Sequence, residues 1–416
     1  IIFSIVLVAF GLPIFILLAS LAIFFFLSEP TDWATNYDLI STISDSAYRI
    51  VVSPTLAAIP IFTLAGYILA ESNISDRLIK FFKSSLGWLP GSTVLIVVIL
   101  CAFFTALTGG SGVTILALGA ILYPILVHDG YSKRFSLGII TTAGSLGLLF
   151  PPSLPAIIYS VTAGINPLEL FRQALIPAIF LMSIMFFYGL YMLPKNKKIE
   201  KFNFKNAFNS AKIAKWELAI PLLIVLSLFS GFATLVESAA LLVLYVLTIE
   251  LYIFKDVSFK DLPKIIIDCS TLVGGVIIIL GFAMGFTGYL VDAQIPLKIL
   301  NFVQNTISSK IIFLLALNIL LLIIGCLMDI FSAIIVVVPL IAPLAAYFGI
   351  DPFHLAIIFI ANLELGYITP PVGMNLYLSS YRFNKDMPTI YSATLPFFFI
   401  RLIGVLIITY IPLFFY

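Results

Sequence analysis

Helix-breaking residues recur in this chain at one constant offset, inside sequence that is otherwise almost continuously apolar. Gly66 returns as Gly285, a step of 219 residues, and the same step carries Pro124, Gly130, Gly147, Pro151, Pro152 and Ser160 onto Pro343, Gly349, Gly366, Pro370, Pro371 and Ser379. In hydrocarbon every backbone polar group needs a partner, so a break at depth must lie inside protein or line a wet cavity. Matched breaks in two halves of one chain therefore predict paired broken helices around a site near the bilayer midplane, the arrangement of a secondary transporter.

The bilayer is the expected solvent. Of 416 residues 62% are hydrophobic and 10% charged, against about 25% charged in soluble domains. Taking about 20 apolar residues per crossing, the spans are 1–27, 48–70, 133–162, 170–193, 216–230, 234–254, 268–291, 354–380 and 389–416. Residues 1–27 lack a small-residue cleavage site and read as a retained span. Two further apolar stretches, 93–127 and 311–348, are interrupted at Thr108-Gly109-Gly110-Ser111-Gly112 and at Gly325 through Asp329. Both read as re-entrant helical hairpins. The predicted fold class is an all-α polytopic membrane protein: an inverted repeat with two re-entrant hairpins and two broken helices, 133–162 and 354–380.

Loop charge orients it. Segment 194–215 carries Lys195, Lys197, Lys198, Lys201, Lys205, Lys212 and Lys215 against Glu200, so the positive-inside rule makes it cytoplasmic. Counting outward places 71–92, 128–134, 255–267 and 381–388 inside and acidic 28–47 outside, with a cytoplasmic N-terminus and a periplasmic C-terminus. The repeats are then 1–193 and 216–416, crossing in opposite directions. Segment 194–215, with Phe202, Phe204, Phe208 and Ile213 among its lysines, reads as an amphipathic arm on anionic membrane lipid.

The breaks carry the chemistry. Proline frees the carbonyl of residue i−4 and glycine lets backbone approach closely. Freed carbonyls with Ser and Thr hydroxyls are hard oxygen ligands for Na⁺, while half-helix N-termini attract an anion. The first expected Na⁺ site comprises Gly109, Gly110, Ser111, Gly112, Ser145, Gly147 and Pro151. The second comprises Gly325, Asp329, Gly366, Thr369, Val372, Gly373 and Met374. Ser111, Pro152, Ser153 and Asn375 are the expected substrate contacts. Asp329 either caps its tip or binds the cation. Glu237 is expected as an interfacial cap, and His128 and His354 as solvated loop-edge residues. Glu364 and Arg401 are expected to pair with a partner subunit or to snorkel.

Other classes are excluded. Cys101, Cys269 and Cys326 have no metal-ligand spacing, no basic stripe suits nucleic acid, and no His-Glu-x-x-His or nucleophile–His pairing suggests an enzyme. No cofactor is expected beyond Na⁺ as coupling ion.

At these residues the chain resembles the large membrane subunit of a TRAP (tripartite ATP-independent periplasmic) transporter, over nearly its whole length. The resemblance is carried by Gly349-Ile350-Asp351-Pro352, Asn362 and Gly366-Tyr367-Ile368-Thr369-Pro370-Pro371-Val372-Gly373. The Gly109–Gly112 tip, Leu118-Gly119, Gly130-Tyr131, Pro151-Pro152-Ser153, Gly231-Phe232-Ala233-Thr234 and Glu237-Ser238-Ala239-Ala240 add to it. The chain departs in having Thr234-Leu235-Val236-Glu237 where the family usually has Thr-Pro-Thr-Glu, and in a first tip of glycines rather than serines. The resemblance implies Na⁺-driven uptake by an elevator motion in a bacterial inner membrane. It implies a small four-span membrane subunit and a periplasmic binding protein that delivers an organic acid, of the sialic acid or C4-dicarboxylate class. The alternative is a stand-alone inverted-repeat carrier of the dicarboxylate or arsenite antiporter type.

Overall fold

Reciprocal packing of two sequence-matched sets of helices dominates the architecture. The computed structural model describes residues 14–28, 41, 44, 45, 48, 52–194, 202–307 and 309–414, and among them it has helices and no strand. The start of the 1–27 span, most of the 28–47 loop and the lysines of 195–201 lie outside the described residues.

In chain order come α1 (Ile14–Ser28), α2 (Pro54–Glu71), α3 (Ile74–Leu86), α4 (Ser92–Thr108), α5 (Ser111–His128), α6 (Lys133–Ala143), α7 (Leu154–Ala163), α8 (Pro167–Tyr191) and α9 (Phe204–Ile213). Then follow α10 (Lys215–Phe229), α11 (Leu235–Thr248), α12 (Leu262–Asp292), α13 (Ile295–Thr306), α14 (Lys310–Leu327), α15 (Ile330–Tyr347), α16 (Pro352–Gly366), α17 (Met374–Phe383) and α18 (Met387–Tyr410). A step of 219 residues carries α5 onto α15 at both ends, and α4, α6, α7 and α8 onto α14, α16, α17 and α18 to within a few residues. The breaks match as well: Pro151–Pro152 and Pro370–Pro371 are both cis, and Gly130 and Gly349 both have positive φ, +89° and +64°.

Local sequence sets the helix starts. Ser132 caps α6 by accepting from Phe135 N at 3.2 Å, and its counterpart Asp351 caps α16 from Phe353 N and His354 N at 2.9 Å. Each satisfies donors that a helix N-terminus leaves orphaned. Among the described residues, interior faces close into one large core with two small satellite clusters, around Ala22 and Tyr289 and around Leu137, Leu376 and Ile390. Its outward counterpart is apolar too, with Ile176, Phe187, Ile319, Ile323, Phe399 and Ile403 exposed, as a lipid-facing surface requires.

The two sets complete one another. The hairpin arm α5 packs on α17 of the other set, and α15 packs on α7. Likewise α6 packs on α18 and α16 on α8. By length and composition seven described helical segments suit a membrane crossing: α5, α8, α11 with its π-helical extension to Phe254, α12, α14, α15 and α18. Two bent pairs, α2–α3 at 75° and α6–α7 at 44°, bring the number to nine if each is one span.

Two elements were not anticipated. Residues 71–92, read as a cytoplasmic loop, contain α3, and α13 stands at the matching place. The arm 194–215, expected as an amphipathic helix, does contain one, α9, which packs on α3 and leaves Phe204, Phe208 and Ile213 exposed.

Arg77 of α3 organises this side. Its guanidinium meets Glu217 of α10, lies 2.6 Å from Asp256 and 3.6 Å from Glu250, and sits 3.8 Å over the Phe254 ring. Burial alone would raise the pKa of Asp256, but hydrogen bonds from the Arg77 side chain and the Asn73 backbone hold it below 3.8. Its stabilising contribution is therefore present at neutral pH and lost as pH falls through that lowered value. Replacing Arg77→Met leaves the fully buried Glu217 and Glu250 side chains without a counter-charge. The expected cost is about 3–5 kcal/mol, read as a lower melting temperature of the detergent-solubilised chain.

Candidate ion and substrate site

The first tip is folded onto the first break. Gly109 ends α4 in the left-handed region (φ +70°), and its N–H donates to Thr105 O at 2.9 Å. A Cβ there would stand 2.6 Å from Leu154 Cβ, at the start of α7. Thr105 Oγ1 donates to Gly144 O at 2.7 Å and lies 2.6 Å from Thr114 Oγ1, which joins both hairpin arms to the break. Gly147 allows the closest approach, since a Cβ would be 2.2 Å from Ala102 O and 2.5 Å from Ala106 N. Beyond the cis Pro151–Pro152 bond, Ser153 Oγ donates to Leu148 O and accepts from Ala156 N, capping α7.

The second tip repeats this design with different side chains. Gly325 of α14 faces Gly366 of α16, and a Cβ on Gly366 would be 2.6 Å from Gly325 C. Gly373 N–H donates to Cys326 O at 3.1 Å, and Ile330 N–H donates to Tyr367 Oη at 2.7 Å. Asp329 Oδ1 accepts from Phe331 N and Ser332 N, and Ser332 Oγ donates to Oδ2 at 2.5 Å. Asp329 thus caps α15, the structural role among its two expected ones. Thr369 Oγ1 donates to Leu365 O at 2.8 Å.

Exposure separates the halves. Gly147, Pro152 and Ser153 are buried, whereas Pro370, Pro371, Val372 and Met374 are exposed. A cavity of about 390 Å³ opens beside the second break, lined by Thr369, Pro370, Pro388, Tyr391, Ser392 and Phe398. That is within the usual range of roughly 300–1,000 Å³ for small-molecule pockets.

Between the breaks, Asn375 Nδ2 donates to Thr141 O at 3.1 Å, and Thr141 Oγ1 donates to Ser379 Oγ at 2.8 Å. Asn375 Oδ1 and Ser111 Oγ are buried without a hydrogen-bond partner. They belong to packed neighbours, because a Cβ on Gly112 would be 2.8 Å from Leu378 Cδ1, a residue of Asn375's own helix. Of the expected substrate contacts, Ser111 and Asn375 thus keep free acceptor capacity. Ser153 is committed as a cap, and Pro152 lies buried beside it.

Residues 1–414 match the model of the DctM component of the tripartite ATP-independent periplasmic transporters. The chain belongs to this family. Among its DctM relatives, the C4-dicarboxylate TRAP transporter large permease protein DctM of Pseudomonas aeruginosa is 33% identical over 361 residues, covering 86% of this chain and 84% of the relative. The ectoine TRAP transporter large permease protein TeaC of Halomonas elongata is 26% identical over 360 residues, covering 86% and 84%. The solved structure of the Alcanivorax borkumensis YdaH transporter shares the fold, with a TM-score of 0.64 at 11% identity over 95% and 96% of the two chains. This DctM-family chain is a multi-span membrane protein of a bacterial transporter.

Two expectations change. Glu364 and Arg401 neither snorkel nor wait for a subunit: Arg401 Nη2 pairs with Glu364 Oε2, both fully buried, and Nη1 donates to Ser145 Oγ at 3.2 Å. A long charged side chain on an apolar helix found its partner inside the protein because burial without one is costly. His354 is half-buried rather than solvated, its Nε2 3.0 Å from Ile408 O, tying α16 to α18. Ser145, named for the first Na⁺ site, has its hydroxyl between the Arg401 guanidinium and Thr142 O. Glu237 behaves as expected, forming a capping box with Thr234.

Proposed function

We propose that the chain is the transport subunit of a Na⁺-coupled importer, moving an organic acid anion delivered by a periplasmic binding protein, by an elevator motion in the inner membrane. The carrying observation is the pair of glycine-lined junctions, Gly147 on Ala102 and Ala106, and Gly366 on Gly325. Each brings a hairpin tip against the unwound stretch of a broken helix, where backbone carbonyls replace water around a small cation. The hairpins enter from opposite sides, the first from the cytoplasm. The N-terminus is cytoplasmic and the C-terminus periplasmic.

Family membership supports a tripartite assembly with a small four-span membrane subunit, and the relatives' named substrates favour a C4-dicarboxylate-class acid over sialic acid. Beside the second-break cavity, Arg134 is committed to the backbone carbonyl of Ser392, its Nε and Nη2 donating at 2.9 and 2.6 Å. The anion is therefore held by the half-helix ends, Ser111, Asn375 and Na⁺ itself. Two Na⁺ carried with a C4-dicarboxylate dianion move no net charge, so the drive is the Na⁺ gradient itself, ~1.4 kcal/mol per ion for each tenfold. Two ions on a tenfold gradient suffice for about a hundredfold accumulation.

Uptake of radiolabelled acids into proteoliposomes tests this, with and without the small subunit, the binding protein and an inward Na⁺ gradient. The expected result is accumulation that needs all three. Uptake by the chain alone would instead establish a stand-alone carrier of the dicarboxylate or arsenite antiporter type.

A further inference from the structure

The two fully buried partners of Arg401 occupy equivalent places in the two repeats. Ser145 stands two residues before Gly147, and Glu364 two before Gly366, so the step that relates the breaks also relates these two side chains. One guanidinium joins them: Nη1 to Ser145 Oγ, Nη2 to Glu364 Oε2. Ser145 Oγ in turn donates to Thr142 O at 3.3 Å. Arg401 belongs to α18, which packs on α6 and α16, the first segments of both broken helices.

We propose that Arg401 is a positioning residue that couples the two candidate ion sites. Guanidinium is planar and presents its donors in a rigid fork, so it holds two partners in one geometry. A buried ion pair is a poor source of net stability, because desolvation offsets most of the attraction. Its physical effect here is to make the two breaks one element with a shared position. An ion that tightens the first junction moves Ser145, and the fork transmits the displacement to Glu364 and so to Gly366. A unit that both sites bias is what energetic coupling between them requires. The equivalent α8 position is Met182, a side chain with no hydrogen-bond donor, so the repeat does not duplicate the fork.

The inference rests on the Na⁺-coupled reading above. The experiment is the Na⁺ dependence of acid uptake by the full complex with its small subunit and binding protein, in wild type, Arg401→Lys and Arg401→Met/Glu364→Met. Lysine keeps the charge opposite Glu364 but cannot fork. The paired methionines remove both charges while filling the space with an adaptable apolar side chain. Wild type is expected to show a Hill slope near ~2. Both variants are expected to fall toward ~1, with half-saturating Na⁺ raised by about tenfold in the double variant. A merely structural defect lowers the maximal rate and leaves the slope. Steep wild-type uptake with equally steep variants overturns the coupling and spares the Na⁺ reading. Wild-type uptake indifferent to Na⁺ overturns both. If the double variant does not assemble, the slope of Arg401→Lys decides.

Discussion

Gly366→Ala is expected to abolish Na⁺-dependent uptake while the chain still inserts in the membrane. The added methyl would stand 2.6 Å from both Cα and C of Gly325, backbone atoms that no rotamer change can withdraw. Overpacking of this kind costs about 1–3 kcal/mol where side chains can adjust, and more where they cannot. The strain falls on the junction between tip and break. The hairpin must part from α16 to relieve it, which removes carbonyls from any ion held there. Gly147→Ala meets the same obstacle in the other repeat, 2.2 Å from Ala102 O. Gly274→Ala is the control, because a Cβ there meets nothing within 4 Å inside helix α12. It should transport normally and melt no lower than wild type, since alanine is the better helix former by about 1 kcal/mol. Equal loss in all three variants would mean that glycine content, not the junction, is what matters.

Arg401→Met alone is expected to be strongly destabilising, on the scale of Arg77→Met. Glu364 would be left fully buried with its ion-pair partner gone, which costs about 3–5 kcal/mol. That is a large share of the roughly 5–15 kcal/mol by which folded domains exceed their unfolded states. The melting temperature in detergent should fall sharply, and Glu364→Met in the Arg401→Met background should recover most of the loss. Failure of the second change to restore stability would show that Arg401 acts through packing rather than charge.

The repeat was legible because it is written in residues with backbone consequences. Glycine and proline change what the chain can do locally, so their recurrence locates helix ends; a 219-residue step maps α5 onto α15 without adjustment. The two tips followed for the same reason, although the breaks are narrower than the stretches Gly109–Gly112 and Gly325–Asp329: only Gly109–Gly110 and Met328–Asp329 leave the helices. Helices α3 and α13 were missed because their amphipathic sequence, with Asp76, Arg77, Lys80 and Lys83 in α3, resembles a charged loop when only long apolar runs are counted. The Arg401–Glu364 pair was missed for a different reason. Its partners lie 37 residues apart on separate helices, a tertiary relation that no periodicity encodes. The one available signal was that the repeat step places Ser145 and Glu364 in equivalent positions, as two polar residues in apolar surroundings. Hairpin direction depended on loop charge alone, since arms of 17 and 18 residues are each about 26 Å long, close to a full crossing of roughly 30 Å.

The most direct measurement is the number of Na⁺ ions bound at equilibrium per chain, by radiolabelled Na⁺ on the purified protein, for wild type and Gly366→Ala. Two ions in the wild type, competed by unlabelled Na⁺ but not by K⁺, and one or none in Gly366→Ala, is the expected result. Wild-type binding of no Na⁺, or binding untouched by closing the Gly325–Gly366 junction, would contradict the assignment of the two junctions as the coupling-ion sites.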